Sequence, residues 1–253
     1  MSSLTLSVAA CALMLGGAIL GALLYRVLPD DHLDSHTKDV VRLGAALLAT
    51  ISGLVLGLLV SSTSSSFSAQ RAEVTAVASN MILLDQLLGQ YGPEARPERV
   101  LLRASITPLV DEIWGPDRSP IHPEATLHAN APSARLFLRL HDMSPKTDAQ
   151  RSIQNQALQI AVDIARSRLQ LFEQAKSQLP APFLVIVLFW LTMLFASFSL
   201  FSPLNPTSMG ALVIIAISAS AALFLILELS EPFSGLMRIS PSPLTNALAS
   251  LSG

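Results

Sequence analysis

LGAALLATISGLVLGLLVSSTSSSFSAQ, residues 43–70, runs for 28 residues without a charged side chain. As an α-helix rising 1.5 Å per residue, its apolar part, which ends near Val60, is long enough to cross a hydrocarbon core of about 30 Å. Composition supports lipid over a buried soluble core. Of 253 residues, 51% are hydrophobic and only 13% charged, with a mean hydropathy of +0.53. An ordinary soluble domain carries about 25% charged residues. The formal net charge of −2 and pI near 6.2 leave no basic excess for phosphates, so nucleic acid is set aside as a partner. Cys11 is the only cysteine, so neither an internal disulfide nor a cysteine-based zinc site can form.

Working outward, Met1 to Tyr25 is also uncharged, and Tyr25 and Arg26 suit the membrane interface. This stretch is expected to be a retained span rather than a cleaved signal. No Lys or Arg precedes it, no small-x-small site ends it, and it is too long for a signal core. Val8-Ala9-Ala10-Cys11 reads like a lipoprotein box, but the long apolar stretch follows it instead of preceding it. An acidic loop with Asp30, Asp31, Asp34 and Asp39 leads into the second span. The last uncharged run, Ser177 to Leu227, exceeds one crossing, and Ser202-Pro203-Leu204-Asn205-Pro206 breaks it into a tight hairpin. Backbone polar groups cannot go unpaired in lipid, and no short alternating strands suggest a barrel, so these spans are helices.

Between the second and third spans, residues 63–180 carry twelve basic and twelve acidic side chains. Val74, Val77, Met81, Leu84 and Leu88 recur at helical spacing, as do Ile153, Ala157, Ile160, Ile164 and Leu171, and Val100 to Trp114 supplies a third apolar-rich helix. Gly92-Pro93 ends the first of these, and the stretch from Gly115 to Pro132, with four prolines, reads as an irregular loop. The fold class is therefore an all-α membrane protein: four transmembrane helices, about 4–26, 42–62, 181–202 and 208–229, with a helical cytoplasmic domain at 63–180 inserted between the second and third. Residues 1–62 and 181–229 form the membrane part, and 230–253 a cytoplasmic tail. Orientation follows from Arg71, Arg166, Arg168, Lys176 and Arg238 on one side against Arg26, Lys38 and Arg42 on the other. The expected location is the bacterial inner membrane, with both termini cytoplasmic.

Three segments carry a resemblance. They are LPDDHLDSHTKDVVRLGAALLATISGLVLGLLVSS across the loop and second span, LLDQLLGQYGPEA, and the tail LELSEPFSG. In that order, over nearly the whole chain, they resemble the bestrophin-like domain family of bacterial membrane proteins. Glu228, Pro232, Phe233 and Gly235 match the family's acidic-x-x-x-Pro-Phe-x-Gly element, and Ser230 departs from it, since the family usually has Asp there. The resemblance implies a distant relation to bestrophins, oligomeric anion channels whose second helix lines a central pore. It thus implies a homo-oligomer in the lipid bilayer, with chloride or another small ion as its partner and no cofactor. The alternative is a non-conducting, membrane-anchored interaction or sensory protein.

The residues themselves leave two readings of the second span. Gly44, Thr50, Ser52, Gly53, Gly57 and Ser61 form a small-residue set, and Gly53-x-x-x-Gly57 permits close helix approach, as Gly17-x-x-x-Gly21 does in the first span. That face packs against the chain's own helices, or it meets other subunits or a pore. Ser61-Ser62-Thr63-Ser64-Ser65-Ser66 is a polar helix end or linker, or a set of hydroxyls that solvates an ion. No Lys or Arg lies inside a span, so no basic ring marks an anion path. No Asp, Glu or His lies mid-span, which disfavours a proton-coupled carrier. For Glu228 and Glu231, an ion pair with Arg238 is the leading expectation, and a cation or gating site the other. His32 and His36 among the loop aspartates have only weak metal-ligand spacing, His122, His128 and His141 have none, and no metal is expected. Phosphate-loop, nucleophile-elbow and zinc-protease motifs are missing from the sequence, so an enzyme is not expected.

Overall fold

The computed structural model describes residues 3–27, 35–115, 131–176, 181–200 and 205–251. Among them there are helices and no strands: α1 Ser3–Val27, α2 Ser35–Tyr91, a 3-10 turn Pro93–Ala95, α3 Arg96–Trp114, α4 Ala131–Asp142, α5 Asp148–Lys176, α6 Ala181–Leu200, α7 Pro206–Leu229 and α8 Ser242–Leu251. The chain divides into two units, Met1–Phe67 with Gln178–Met237, and Ser68–Ser177 with Arg238–Gly253.

The first unit holds α1, the start of α2, α6 and α7. Among the described residues, four helices are long and apolar enough to cross a membrane: Ser3–Val27, His36–Tyr91, Pro182–Leu200 and Pro206–Leu229. Ser7 accepts at its carbonyl from the Ser220 hydroxyl at 2.6 Å and Ser3 meets Glu228, so α1 runs antiparallel to α7. Gly17 faces Thr192 and Gly21 faces Ala196, so α1 runs parallel to α6. The core is Ala10, Met14 and Ala18 of α1, Ala45 of α2, Val187, Leu191, Leu194 and Phe195 of α6, and Ala216 and Leu223 of α7. Small residues at these contacts suit a setting in which lipid is as apolar as leucine and close approach, not water exclusion, favours association.

The second unit has an ordinary hydrophobic core. Val74, Val77, Met81, Leu84 and Leu88 of α2 are buried, with Leu102, Ile106 and Leu109 of α3, Leu140 of α4, and Ala157, Ile164 and Leu171 of α5. Each large apolar side chain buried there contributes about 1.5–3 kcal/mol. The positions named in α2 are all buried, as are Ala157, Ile164 and Leu171 of α5; Ile153 and Ile160 are half-buried, and from Val100 to Trp114 the residues Leu101, Val110 and Trp114 are half-buried and Val100 is exposed.

Three features differ from the sequence reading. The second span and the first polar helix are one 57-residue helix, α2, because the serine run between them contains neither Gly nor Pro to break it. Helix α4 begins at Ala131, inside the stretch read as loop, with Leu136 and Leu140 buried; residues 116–130 of that loop lie outside the described residues. The tail divides: 230–237 belong to the first unit, while α8 buries Leu244, Ala247 and Leu251 in the second, where Trp114 Nε1 donates to the Ile239 carbonyl at 2.7 Å.

Candidate functional site

The small residues of α1 and α2 occupy opposite environments. A Cβ on Gly17 would lie 2.6 Å from the carbonyl oxygen of Thr192, and one on Gly21 would be closer still to that of Ala196. These two glycines hold α1 against α6. Gly44, Gly53 and Gly57 of α2 are exposed, and a Cβ on any of them would meet nothing within 4 Å. No side chain of the chain's own helices therefore packs on these three glycines.

Helical spacing sorts the remaining candidates. Thr50 and Ser61 are exposed on the same side as Gly57, with the Thr50 hydroxyl donating back to the Ala46 carbonyl at 2.9 Å. Ser52 lies on the other side, among the positions that pack inward, at 1% exposure, and its hydroxyl has no partner among the described residues. The open side carries Leu43, Leu47, Thr50, Leu54, Gly57, Ser61, Ser64 and Ser68, all exposed and spaced alternately by four and three residues. That spacing lays them along one seam of the helix. Bulk falls along it, from leucines toward the loop end to hydroxyls toward the polar unit. The open faces of α1, α6 and α7 instead carry large apolar groups such as Leu20, Leu23, Phe183, Phe189, Ile214 and Ile217, which suit lipid.

The tail element closes on itself. Glu228, at 2% exposure in the last turn of α7, accepts from the Ser3 hydroxyl and from the backbone N–H of Leu236 and Met237, the latter at 3.0 Å. A carboxylate at a helix C-terminus opposes the helix dipole, and these donors offset that cost. Gly235 has φ 80°, and a Cβ there would strike the Glu228 carboxylate, so both the backbone and the space require glycine. Pro232 and Phe233 are buried, and the Ser230 hydroxyl donates to Leu227 O at 2.7 Å. Glu228 enters none of the ion pairs among the described residues, which corrects the expected pairing with Arg238, and exposed Glu231 accepts from the Ser234 hydroxyl.

LLDQLLGQYGPEA, residues 83–95, ties the polar unit together. Asp85 takes Arg99 bidentately at 2.7 and 2.5 Å, and this hydrogen bonding raises the Arg99 pKa. Gly92 has φ 125°, which lets the chain turn from α2 into the 3-10 turn. Lys146 pairs with Glu94 at 2.8 Å, and the Gln150 side chain donates to the Tyr91 carbonyl at 3.1 Å. Deeper in the unit, Arg168 and Glu112 approach to 3.6 Å, and burial pulls both toward their neutral forms, raising the Glu112 pKa and lowering that of Arg168. Being buried, Arg168 is not a membrane-flanking charge, and the orientation count narrows to Arg71, Arg166, Lys176 and Arg238 against three.

No group of three or more His, Cys, Asp or Glu side chains gathers for a metal among the described residues. His36 and His141 are exposed, while His32, His122 and His128 lie outside the described residues. A shallow groove of about 420 Å³ lies between α4 and α5, lined by Phe137, His141, Leu158, Gln159, Val162 and Asp163.

A sequence profile of the bestrophin-like domain matches residues 11–244. The chain belongs to the bestrophin-like domain family. Solved structures agree on the bestrophin fold: a tryptophan-to-alanine variant of a bacterial bestrophin homologue from Klebsiella pneumoniae superposes with a TM-score of 0.72 at 18% identity, covering 99% of this chain and 97% of that one. An isoleucine-to-threonine variant of the same homologue gives 0.70 at 17%, covering 98% and 99%. A comparison with curated proteins finds no match. Within this bestrophin-like chain, the sequence singled out the α2 glycines and the tail motif, but it held no signal for Ser3 as the partner of Glu228, 225 residues away.

Proposed function

We propose that this protein is the subunit of a homo-oligomeric, anion-permeable ion channel of the bacterial inner membrane, with α2 nearest the axis. The observation that carries the reading is the open face of α2: an uncharged, four-and-three spaced seam whose Gly57, like Gly44 and Gly53 beside it, meets nothing within 4 Å. Glycine and hydroxyl positions gain little from lipid and much from a close neighbour or from water, so a ring of copies is the arrangement that uses them. The pore-facing residues are then Thr50, Gly57 and Ser61, with Gly44 and Gly53 at its flanks and Ser52 behind it. Chloride or another small ion is the permeant species, no cofactor is required, and the chain is not an enzyme. The polar unit and both termini lie in the cytoplasm, with membrane boundaries near 4–26, 42–62, 181–202 and 208–229.

The test is chloride and potassium flux through purified protein in liposomes, after mass analysis in detergent has fixed the oligomeric state. Selective flux from a defined oligomer, altered by substitutions at Thr50 or Gly57, is the expected result. A monomer removes the shared pore. An intact oligomer without flux favours the second reading, a non-conducting interaction module, for which the exposed Phe137, Leu138 and Leu169 of the polar unit speak.

A further inference from the structure

Leu43, Thr50, Gly57, Ser64 and Arg71 follow one another along α2 at seven-residue steps, and all are exposed. Seven residues are two helical turns with a drift of about 20°, so neighbours in the series share a face and Arg71 lies within about 40° of Gly57. The 28 residues from Leu43 to Gln70 carry no charge, which makes Arg71 the first ionisable side chain on that face after the membrane segment. The other charged groups that follow on α2 lie elsewhere: Glu73 is half-buried about 200° around the helix, and Asp85 is buried against Arg99. Arg71 itself enters none of the ion pairs among the described residues.

Resting on the channel reading above, we infer that Arg71 is the charge-selectivity residue of this protein, favouring anions at the end of the seam next to the polar unit. The hydroxyls and backbone before it serve either sign of ion, because a hydroxyl both donates and accepts. They leave the choice open. In a ring of subunits each position recurs once per copy, so one guanidinium becomes a ring of fixed positive charge, and low-dielectric walls focus its field along the axis. The competing role for an arginine just beyond an apolar run is to reach lipid headgroups, where it would have no effect on which ion passes.

Reversal potentials of the purified full-length protein in planar bilayers under a KCl gradient separate these roles. Wild type reverses toward the chloride potential. Arg71→Gln lowers the chloride-to-potassium permeability ratio by about threefold or more, Arg71→Glu carries the reversal potential toward potassium, and Arg71→Lys keeps the wild-type ratio. Arg166→Gln, on an exposed face of α5, serves as the control for general surface charge and leaves the ratio unchanged. A conducting wild type that already prefers potassium, or Gln and Glu variants that conduct with an unmoved ratio, overturns the inference while leaving the channel reading intact. Absence of current from wild type overturns both. Should the Glu variant fail to assemble, the contrast between Gln and Lys decides.

Discussion

In α1 the surface at Gly17 and Gly21 is filled by Thr192 and Ala196 of α6, whereas in α2 the surface at Gly53 and Gly57 meets nothing within 4 Å. The spacing is the same in both helices, and each has the same capacity for close approach. The partner decides the use. On α6 the facing residues are small and also four apart, so two helices of the chain close together. Opposite the α2 glycines there is open space. A glycine pair at four-residue spacing therefore specifies how near a neighbour can come and says nothing of which neighbour comes.

Substitution should break the two sites in different ways. Gly21→Leu drives a side chain into the α6 backbone and is expected to cost at least about 3 kcal/mol, seen as loss of folded protein in detergent. Gly57→Leu should leave the subunit folded, with an unchanged melting temperature for the dissociated species, and abolish assembly or flux. Equal loss of fold in both variants would erase the contrast. Gly235→Ala probes a closed contact on a smaller scale: a left-handed backbone and a blocked carboxylate should together cost about 1–3 kcal/mol, and an unchanged melting temperature would remove Glu228 as the anchor of the tail. Ser52→Ala should do least, staying within about 0.5 kcal/mol of wild type or slightly above it, since its buried hydroxyl has no partner to lose. A clear loss of flux with Ser52→Ala would return that residue to the open side.

Much of the architecture was legible because uncharged runs long enough for lipid are seldom found in chains that fold in water, and because Val74 to Leu88 and Ile153 to Leu171 repeat at helical spacing. What the sequence hid has physical causes. Serines look like a linker, yet inside a long helix their backbone hydrogen bonds are kept, so the junction near residue 62 leaves no break in α2. Prolines before Ala131 suggested loop, but Pro132 in the first turn of α4 is compatible with a helix start. At the candidate site the residue types were visible and their facing was not. Ser52 and Gly53 are adjacent in sequence, yet one is buried and the other open. Glu228 suggested an ion pair because its hydrogen-bond donors, two backbone amides and a distant serine, have no signature in composition.

The unbroken run of α2 fixes the phase of the residues it carries. From Leu58 to Leu88 it contains neither Gly nor Pro, so nothing in that stretch interrupts the backbone ladder. Inserting one residue between Gly57 and Ser61 would swing the hydroxyls that follow by about 100° away from the line of Thr50 and Gly57, whereas inserting seven would bring them back to within about 20°. The length of the run is thus set by angle as much as by reach.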